Sequence, residues 1–409
     1  MKNRILKIAI IGLGYVGLPL AVEFAKKRPV IGFDISRKRI RDLRLGLDKT
    51  KEVTKKKLIK SKNLFLTDSK EHLELANCYI VTVPTPINKF RKPDLTPLLE
   101  ASKMIGRVIK KNDIVIYEST VYPGCTEEKC VPILEKYSRL KLNIDFYCGY
   151  SPERNNPGDK KNKISNIKKV TSGSNKKIAS FVDSLYNEII IAGTHKASSI
   201  RVAEASKVIE NTQRDLNIAY MNELSNILDK LDIDFNEVLK AAKTKWNFLP
   251  FRPGLVGGHC IGVDPYYLIH KSKISGYNPK VISSARYLND KMGNMVAYRF
   301  MKKMKSKSIL IENSRILIMG LTFKENCPDL RNAGIFNVIE NLKKKKCILE
   351  FYEPLAAEKE IKKIYGKKPI KKLTIRKYDG IIIAVAHEYL KKMGIEKIIK
   401  LGKKKSCNF

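Results

Sequence analysis

The apolar residues in the first half of the chain form short runs of strand length, separated by helical patterns. Lys7 to Ile11 and Val30 to Phe33 predict buried strands, and Tyr15 to Lys27 between them has apolar residues at helical spacing. The same alternation continues through Tyr79 to Val83, Leu95 to Ile109 and Asp113 to Tyr117. It predicts a parallel sheet covered by helices on both faces, and therefore one doubly wound α/β domain over residues 1–197.

The pattern changes near Ser198. From there to about Leu231 the chain has no Gly or Pro, and its apolar residues recur at helical spacing, which predicts one long helix. A Gly/Pro-rich loop (Pro250 to Asp264) and a further helical segment (Asn278 to Met304) complete a helical domain over 198–305, and a long helix of this kind can carry an oligomer interface.

Strand and helix patterns resume in the last hundred residues. Arg315 to Met319, Ile348 to Tyr352 and Gly380 to Val385 predict strands, and Asn332 to Leu342 predicts a helix. They indicate a second, smaller α/β domain over 306–409. The expected fold class is therefore α/β, with two Rossmann-like domains joined by a long central helix.

Charge changes this picture little. Lys and Arg number 80 against 41 Asp and Glu, a formal net charge of +39. The basic residues are spread along the whole chain, which favours a lysine-rich solvated surface over a binding stripe. Attraction of an anionic small substrate and nucleic-acid binding are the alternatives. No zinc-finger spacing or RNA-recognition signature supports the second, so no nucleic-acid partner is expected.

The eight cysteines include no Cys-x-x-Cys pair, and the five histidines do not join them at metal-ligand spacing. We therefore expect no metal site and a reducing, cytoplasmic environment. The segment from Met1 to Arg4, with two basic residues, could form an export signal or anchor together with the run from Ile8 to Ala25. Three glycines and Glu23 inside that run favour a buried strand and helix instead, with no membrane association.

A Gly-x-Gly-x-x-Gly motif lies between the first strand and the first helix. Gly12 allows a tight turn, Gly14 lets a pyrophosphate approach the backbone, and Gly17 lets helix and strand pack closely. Asp34 ends the next strand, where a carboxylate binds ribose hydroxyls and disfavours NADP. Arg37 and Arg39 follow closely and weaken that preference. The motif favours NAD over a merely Gly-rich turn.

Cys260 lies among glycines, in Gly257-Gly258-His259-Cys260-Ile261-Gly262. Free cysteines are often simply buried, but this many glycines indicate a backbone shaped around a ligand. We interpret Cys260 as a nucleophile. A hydride-accepting cofactor together with a thiol that holds an acyl group indicates oxidation of an alcohol, past the aldehyde, to an acid.

Other polar groups occupy suggestive positions. Lys207 and Asn211 share one face of the long helix, where they are either solvated or directed into a site. Lys324 and Arg331 follow the first strand of the last domain, where an open α/β sheet binds ligands. Two cations at that position suit a diphosphate.

Taken together, these residues resemble the UDP-glucose/GDP-mannose dehydrogenase family. The motifs that carry the resemblance are Gly-Leu-Gly-Tyr-Val-Gly, Val83-Pro84-Thr85-Pro86, Ser119-Thr120-Val121, Ser151-Pro152-Glu153-Arg154, Lys207 with Asn211, Gly-Gly-His-Cys, and Phe323-Lys324 with Asp329 and Arg331. The stretch from Asn247 to Tyr267 resembles the branch that acts on UDP-N-acetylhexosamines in Vi-antigen and O-antigen biosynthesis. Val263 stands where UDP-glucose enzymes usually carry lysine.

The resemblance implies three groups of functional residues. Cofactor-binding residues would be Gly12, Gly14, Tyr15, Val16, Gly17, Asp34, Arg39, Thr85, Thr120 and Arg331. Catalytic residues would be Cys260, Lys207, Asn211, Asp264, Glu153 and Thr120. Substrate-binding residues would be Glu153, Arg154, Lys207, Asn211, Arg252, Gly257, Gly258 and Lys324, with Arg252 reaching a neighbouring subunit's substrate.

The implied reaction is NAD-dependent, four-electron oxidation of the C6 hydroxyl of UDP-GlcNAc or UDP-GalNAc, for surface polysaccharide synthesis. The alternatives are the same chemistry on UDP-ManNAc or UDP-glucose, or an inactive nucleotide-sugar-binding regulator. Family members usually continue past this C-terminus with one more strand, so the end at Phe409 implies a shortened last domain. A homodimer or higher homo-oligomer is expected.

Overall fold

The computed structural model describes residues 5–154 and 164–409. They divide into two compact units, one comprising residues up to Glu210 with Tyr266–Tyr277, the other comprising Asn211–Pro265 with Asn278–Phe409. Residues 1–4, part of the export-signal alternative, lie outside the described residues, whereas residues 8–25 form a strand, a turn and a helix. Within the described ranges, no helix is both long and apolar enough to cross a membrane.

The first unit is built on an eight-stranded sheet in the order β3-β2-β1-β4-β5-β6-β7-β8. Its strands are β1 (Ile8–Ile11), β2 (Val30–Phe33), β3 (Leu64–Thr67), β4 (Cys78–Val81), β5 (Ile114–Tyr117), β6 (Tyr147–Tyr150), β7 (Lys169–Gly173) and β8 (Thr194–Lys196). All neighbours are parallel except β6 and β7, which are antiparallel. The expected doubly wound domain is confirmed, but an entirely parallel sheet is wrong at this one pair.

Helices connect these strands: α1 (Gly17–Ala25), α2 (Arg37–Arg44), α3 (Lys55–Lys60), α4 (Thr96–Gly106), α5 (Val131–Ser138) and α6 (Lys176–Asn187). Short turns of 3₁₀ helix at Glu71–Leu75 and Ile164–Asn166, and of π-helix at Thr126–Cys130, complete the unit. The central strands β1, β4 and β5 are buried along their whole length, as expected of a parallel sheet with both faces covered.

Helices dominate the middle of the chain, in agreement with the sequence pattern. They are α7 (Ile200–Lys230), α8 (Phe235–Ala242), α9 (Asp264–Ile274) and α10 (Lys280–Ser306). In the second unit, the buried Asn289 donates to Asp215 at 2.7 Å and accepts from Asn222 at 2.8 Å. Asn222 in turn bonds both the N–H and the carbonyl of Gly254. This network ties the start of the glycine-rich loop to α7 and α10.

The second unit also contains a four-stranded parallel sheet in the order β10-β9-β11-β12. Its elements are β9 (Arg315–Met319), α11 (Ile335–Lys344), β10 (Ile348–Tyr352), α12 (Glu358–Tyr365), β11 (Tyr378–Ile383), α13 (Glu388–Met393), α14 (Ile395–Ile399) and β12 (Gly402–Asn408). The sequence predicts β9 and β10 to the residue, places β11 two residues too late and misses β12. The exposed residues 403–405 of β12 are lysines, which protect an edge strand from pairing with other chains.

Candidate active site

The Gly-rich turn after β1 is tightly closed on one side and open on the other. Gly12 has φ +94°, a conformation that favours glycine. A Cβ built on Gly17 would lie 1.9 Å from the carbonyl oxygen of Gly12, whereas a Cβ on Gly14 would meet nothing within 4 Å. The turn therefore packs α1 against β1 and leaves the backbone at Gly14 accessible, which fits the approach of a pyrophosphate to a helix N-terminus. Tyr15 and Val16 belong to the same turn.

Asp34 and Arg39 have defined positions beside this turn. The Asp34 carboxylate accepts the N–H of Leu13 and that of Ser36, each at 2.9 Å. Arg39 donates to the carbonyl of Leu13 at 2.9 Å and pairs with Asp48, also at 2.9 Å. Because its guanidinium is held by these groups, Arg39 weakens the preference for NAD less than the sequence suggested. The carboxylate remains the group best placed to select ribose hydroxyls.

Two threonines extend the same edge of the sheet. Thr85 follows β4 and Thr120 follows β5, and the Thr85 hydroxyl donates to the Thr120 carbonyl at 2.7 Å. The hydroxyl of Tyr267 donates to the Thr85 carbonyl at 3.0 Å. Because β1, β4 and β5 are parallel neighbours, their carboxyl ends and the loops that follow them share one edge, where open α/β sheets bind ligands.

Three charged side chains form a buried cluster at the ends of β5 and β6 and the start of β7. Lys169 Nζ lies 2.6 Å from Glu118 Oε2 and 3.6 Å from Glu153 Oε2. Burial raises the pKa of Glu118 to about 7, against the opposing effect of Lys169. Arg154 donates to the carbonyl of Lys168 at 3.1 Å and pairs with Glu210 at 3.3 Å.

Lys207 and Asn211 lie one turn apart on α7, and both side chains are buried. Among the residues that the structure describes, the Lys207 ammonium group has no hydrogen-bond or ion-pair partner. Asn211 Nδ2 donates to Asp264 Oδ2 at 2.5 Å, which fixes the orientation of both side chains. Asp264 begins α9, four residues after Cys260.

Cys260 is half-buried, whereas the other seven cysteines are buried. Its carbonyl accepts the N–H groups of Val263 and Asp264, at 3.0 and 2.8 Å, so residue 260 lies where α9 starts. The positive end of a helix favours a negatively charged group at this position. Of the eight cysteines, Cys260 thus has the accessibility and the surroundings of a nucleophile.

His259 connects the cysteine loop to the loop after β9. Arg331 Nη2 donates to His259 Nε2 at 2.7 Å and to Asp329 Oδ2, also at 2.7 Å. Burial, with the nearby Arg331 guanidinium, lowers the pKa of His259 to about 4, so its imidazole is neutral at pH 7. Arg331, which the resemblance assigns to NAD, is paired with these two residues in the structure.

Gly257 and Gly258 permit the cysteine loop to pack closely against the loop after β9. A Cβ on Gly257 would lie 2.7 Å from the carbonyl oxygen of Asn332, and one on Gly258 would lie 2.7 Å from the ring of Phe323. Lys324 Nζ lies 5.5 Å from the centre of that ring. Arg252, earlier in the cysteine loop, is exposed.

A cavity of about 390 Å³ in the second unit adjoins these loops, and Leu255, Arg299, Thr322 and Phe323 are among the residues that line it.

Sequence reasoning missed Glu118, Lys169, His259 and Tyr267. Glu118 immediately precedes the Ser-Thr-Val motif, and His259 lies inside the Gly-Gly-His-Cys motif. These two motifs could therefore have identified both residues as site candidates. Nothing local distinguishes Lys169 from the other lysines.

Comparison with known proteins identifies all three parts of the chain. Family models for the UDP-glucose/GDP-mannose dehydrogenase family match its NAD binding domain at residues 6–190, its central domain at 201–291 and its UDP binding domain at 317–408.

Individual relatives cover nearly the whole chain. The UDP-N-acetyl-D-glucosamine 6-dehydrogenase of Pseudomonas aeruginosa is 58% identical over 97% of this chain and 94% of its own length. The enzyme of the same name from Salmonella typhi is 56% identical over 98% and 94%. Among solved structures, the UDP-D-ManNAc dehydrogenase of Pyrococcus horikoshii has a TM-score of 0.88 at 29% identity, covering 97% of this chain and 93% of that one.

Proposed function

The chain belongs to the UDP-glucose/GDP-mannose dehydrogenase family, and we propose that it oxidises the C6 hydroxyl of UDP-N-acetylglucosamine to the carboxylate, with NAD as cofactor. Two relatives that are 56–58% identical over nearly the full chain are UDP-N-acetyl-D-glucosamine 6-dehydrogenases. The observation that carries the chemistry is the half-buried Cys260 at the start of α9, close in sequence to the hydrogen-bonded Asp264.

NAD supplies the acceptor for the hydride removed from C6 in each of the two oxidations. The Gly12–Gly17 turn, open at Gly14, would hold its pyrophosphate, and Asp34 would hold the adenosine ribose. Thr85 and Thr120 lie at the same edge of the sheet. Tyr15, Val16 and Arg39 belong to the set proposed at this turn, and the resemblance adds Arg331.

The first oxidation needs a base for the hydroxyl proton while the carbon loses a hydride. We assign this proton transfer to a water held by Thr120 and Asp264, because the carboxylate of Asp264 is buried and oriented by Asn211. The Cys260 thiolate then adds to the aldehyde carbon, and the carbonyl oxygen takes the negative charge. Lys207 and Asn211 stabilise that oxyanion, since a buried ammonium and an oriented amide are suitable donors.

Loss of a second hydride from the same carbon leaves a thioester on Cys260. Water adds to its carbonyl, the carbon–sulfur bond breaks, and the thiolate leaves as the carboxylate forms. Glu153 accepts the proton from that water. Overall, the alcohol loses four electrons as two hydrides, gains one oxygen from water and releases its protons to solvent.

Substrate binding is assigned to the polar loop after β6, the cysteine loop and the loop after β9. Arg154 and Lys324 would contact the nucleotide sugar, and Gly257 and Gly258, whose close packing against Asn332 and Phe323 fixes the loop before Cys260, would shape the site. We further propose a homodimer that brings the exposed Arg252 to a neighbouring subunit's substrate.

A uronic acid on UDP is a glycosyl donor. Glycosyltransferases that build a surface polysaccharide would therefore consume the product on the cytoplasmic face.

A panel of nucleotide sugars tests this assignment. We expect kcat/KM for UDP-GlcNAc to exceed that for UDP-glucose by roughly 100-fold, because a site shaped for an N-acetyl group leaves polar contacts unmade without it. Rates with UDP-GalNAc and UDP-ManNAc measure discrimination at C4 and C2. Faster turnover of UDP-ManNAc or UDP-glucose would refute the substrate assignment, and no NADH with any of the four would refute the enzyme.

A matched pair of glycine variants tests the cofactor turn. Gly17→Ala should destabilise the fold by about 3 kcal/mol or more, because its Cβ would overlap the Gly12 carbonyl oxygen. Gly14→Ala should melt like the unmodified protein, yet raise the KM for NAD roughly tenfold or more by blocking the pyrophosphate. Thermal melting and NAD titration separate the two effects. An unchanged KM in Gly14→Ala would place the cofactor elsewhere.

A further inference from the structure

A buried lysine in the first unit lies between two carboxylates and has no role in the steps above. Glu118 follows β5 and Glu153 follows β6, so both lie at the edge where these parallel strands end. Lys169 is the first residue of β7, which runs antiparallel to β6. Because of that reversal, the start of β7 lies at the same edge, and the ammonium group reaches both carboxylates. The single antiparallel pair in this sheet therefore brings a cation to the proposed site.

The two carboxylates differ in how they are held. Glu118 Oε2 lies 2.6 Å from the ammonium, and Glu118 Oε1 accepts a hydrogen bond from the hydroxyl of Tyr186. Glu153 lies farther from the ammonium, at 3.6 Å. The side chain of Glu118 is 0% exposed, whereas that of Glu153 is 10% exposed. Glu118 is thus an internal anchor for the lysine, and Glu153 is the less deeply buried of the two carboxylates.

The charges in this group depend on the lysine. Although burial opposes it, the neighbouring Glu118 and Glu153 raise the pKa of Lys169, so its ammonium persists at neutral pH. Two buried carboxylates share that one positive charge. Without it, burial would favour the protonated form of Glu118, whose pKa burial already raises. Glu153 would lose the cation that lies 3.6 Å from its Oε2 atom and helps to hold the carboxylate at this edge of the sheet.

We propose that Lys169 is a positioning residue that holds and orients the Glu153 carboxylate for hydrolysis of the Cys260 thioester, with Glu118 as its anchor. This role rests on the function proposed above. It is specific to one step: water addition to the thioester needs a base, whereas neither removal of hydride from C6 involves Glu153. Loss of the ammonium should therefore leave both oxidations intact and slow only the release of the acid.

The informative variant is the double substitution Lys169→Met with Glu118→Gln. It removes one positive and one negative charge together, so the net charge of the group stays the same. The amide oxygen introduced by Glu118→Gln can still accept the hydrogen bond from Tyr186. Lys169→Arg is the conservative variant, which retains a cation. Lys168→Met is the matched control, because it removes the same charge from the neighbouring exposed side chain.

The experiment mixes each full-length protein with UDP-GlcNAc and saturating NAD, follows NADH, and measures the intact mass of acid-quenched protein. In the double variant we expect a burst of two NADH per site at the unmodified rate, followed by a steady rate about 100-fold lower. A covalent sugar adduct should accumulate, and kcat should rise with pH as hydroxide replaces the base. Lys169→Arg should restore most of the steady rate, and Lys168→Met should match the unmodified protein.

Two results would overturn the role of Lys169. The first is a folded double variant whose steady rate is unchanged. The second is a double variant in which the burst and steady rates fall equally and no adduct forms, which indicates a general structural defect. Failure of the proposed function is distinguishable, because it would show in the unmodified protein as no NADH from UDP-GlcNAc.

Discussion

Replacement of Cys260 by serine should lower kcat for acid formation by at least about 10³-fold, because a catalytic nucleophile is removed. A serine hydroxyl is a far weaker nucleophile than a thiolate at neutral pH, and the imidazole that precedes it in the chain, His259, is engaged by Arg331. Since oxygen is smaller than sulfur and the site is half-buried, the variant should fold normally.

The control for this substitution is Cys347→Ser. The thiol of Cys347 lies 3.3 Å from the carbonyl of Ile311, so a hydroxyl there would have a partner ready. Its kcat should stay within about twofold of the unmodified value, as expected of a change far from the reaction. Steady-state assays on both variants, with melting curves, make the comparison. Acid formation by a folded Cys260→Ser protein at near-normal rate would exclude a thioester mechanism.

Replacement of Lys207 by methionine should lower kcat by about 10²- to 10³-fold, the usual cost of losing an oxyanion donor. The same change should leave the melting temperature equal or higher. Lys207 is buried, and its ammonium group has no ion-pair partner among the described residues. Methionine therefore removes a charge that is costly to bury. Activity and stability are thus expected to move in opposite directions, a pattern typical of catalytic residues.

Lys169→Met provides the contrast, because that ammonium is buried but paired with Glu118 at 2.6 Å. Removing one partner of a buried ion pair leaves an uncompensated charge, so this variant should melt at a lower temperature. Thermal melting and kcat for both variants test the distinction. A Lys207→Met protein that is markedly less stable, or as active as the unmodified protein, would show that Lys207 serves the fold rather than the reaction.

Local patterns explain how far the sequence predicts this structure. The strands β2, β9 and β10 follow apolar runs bounded by turn residues, and the structure has them at the predicted residues. The glycines around Cys260 predicted a specially shaped loop, and a Cβ at Gly257 or Gly258 would indeed collide with the facing loop. In each case the signal is local in the chain, although the loop that the glycines face, at Phe323 and Asn332, is distant in sequence.

The remaining features depend on residues distant in sequence. The reversal of β7 brings Lys169 to Glu118, 51 residues earlier, and no local pattern encodes that pairing. The link from Asn289 through Asn222 to Gly254 likewise joins three separate segments. Strand β12 was missed because its lysines hide the strand pattern, which becomes intelligible only when the strand is seen at the edge of a sheet.

The most direct test of the central claim is the number of NADH formed per UDP-GlcNAc consumed by the unmodified protein. Oxidation through a thioester on Cys260 predicts two NADH per sugar, with the uronic acid as product and no free aldehyde. One NADH per sugar with release of the aldehyde would contradict the claim, because the thiol would then not retain the intermediate for the second oxidation.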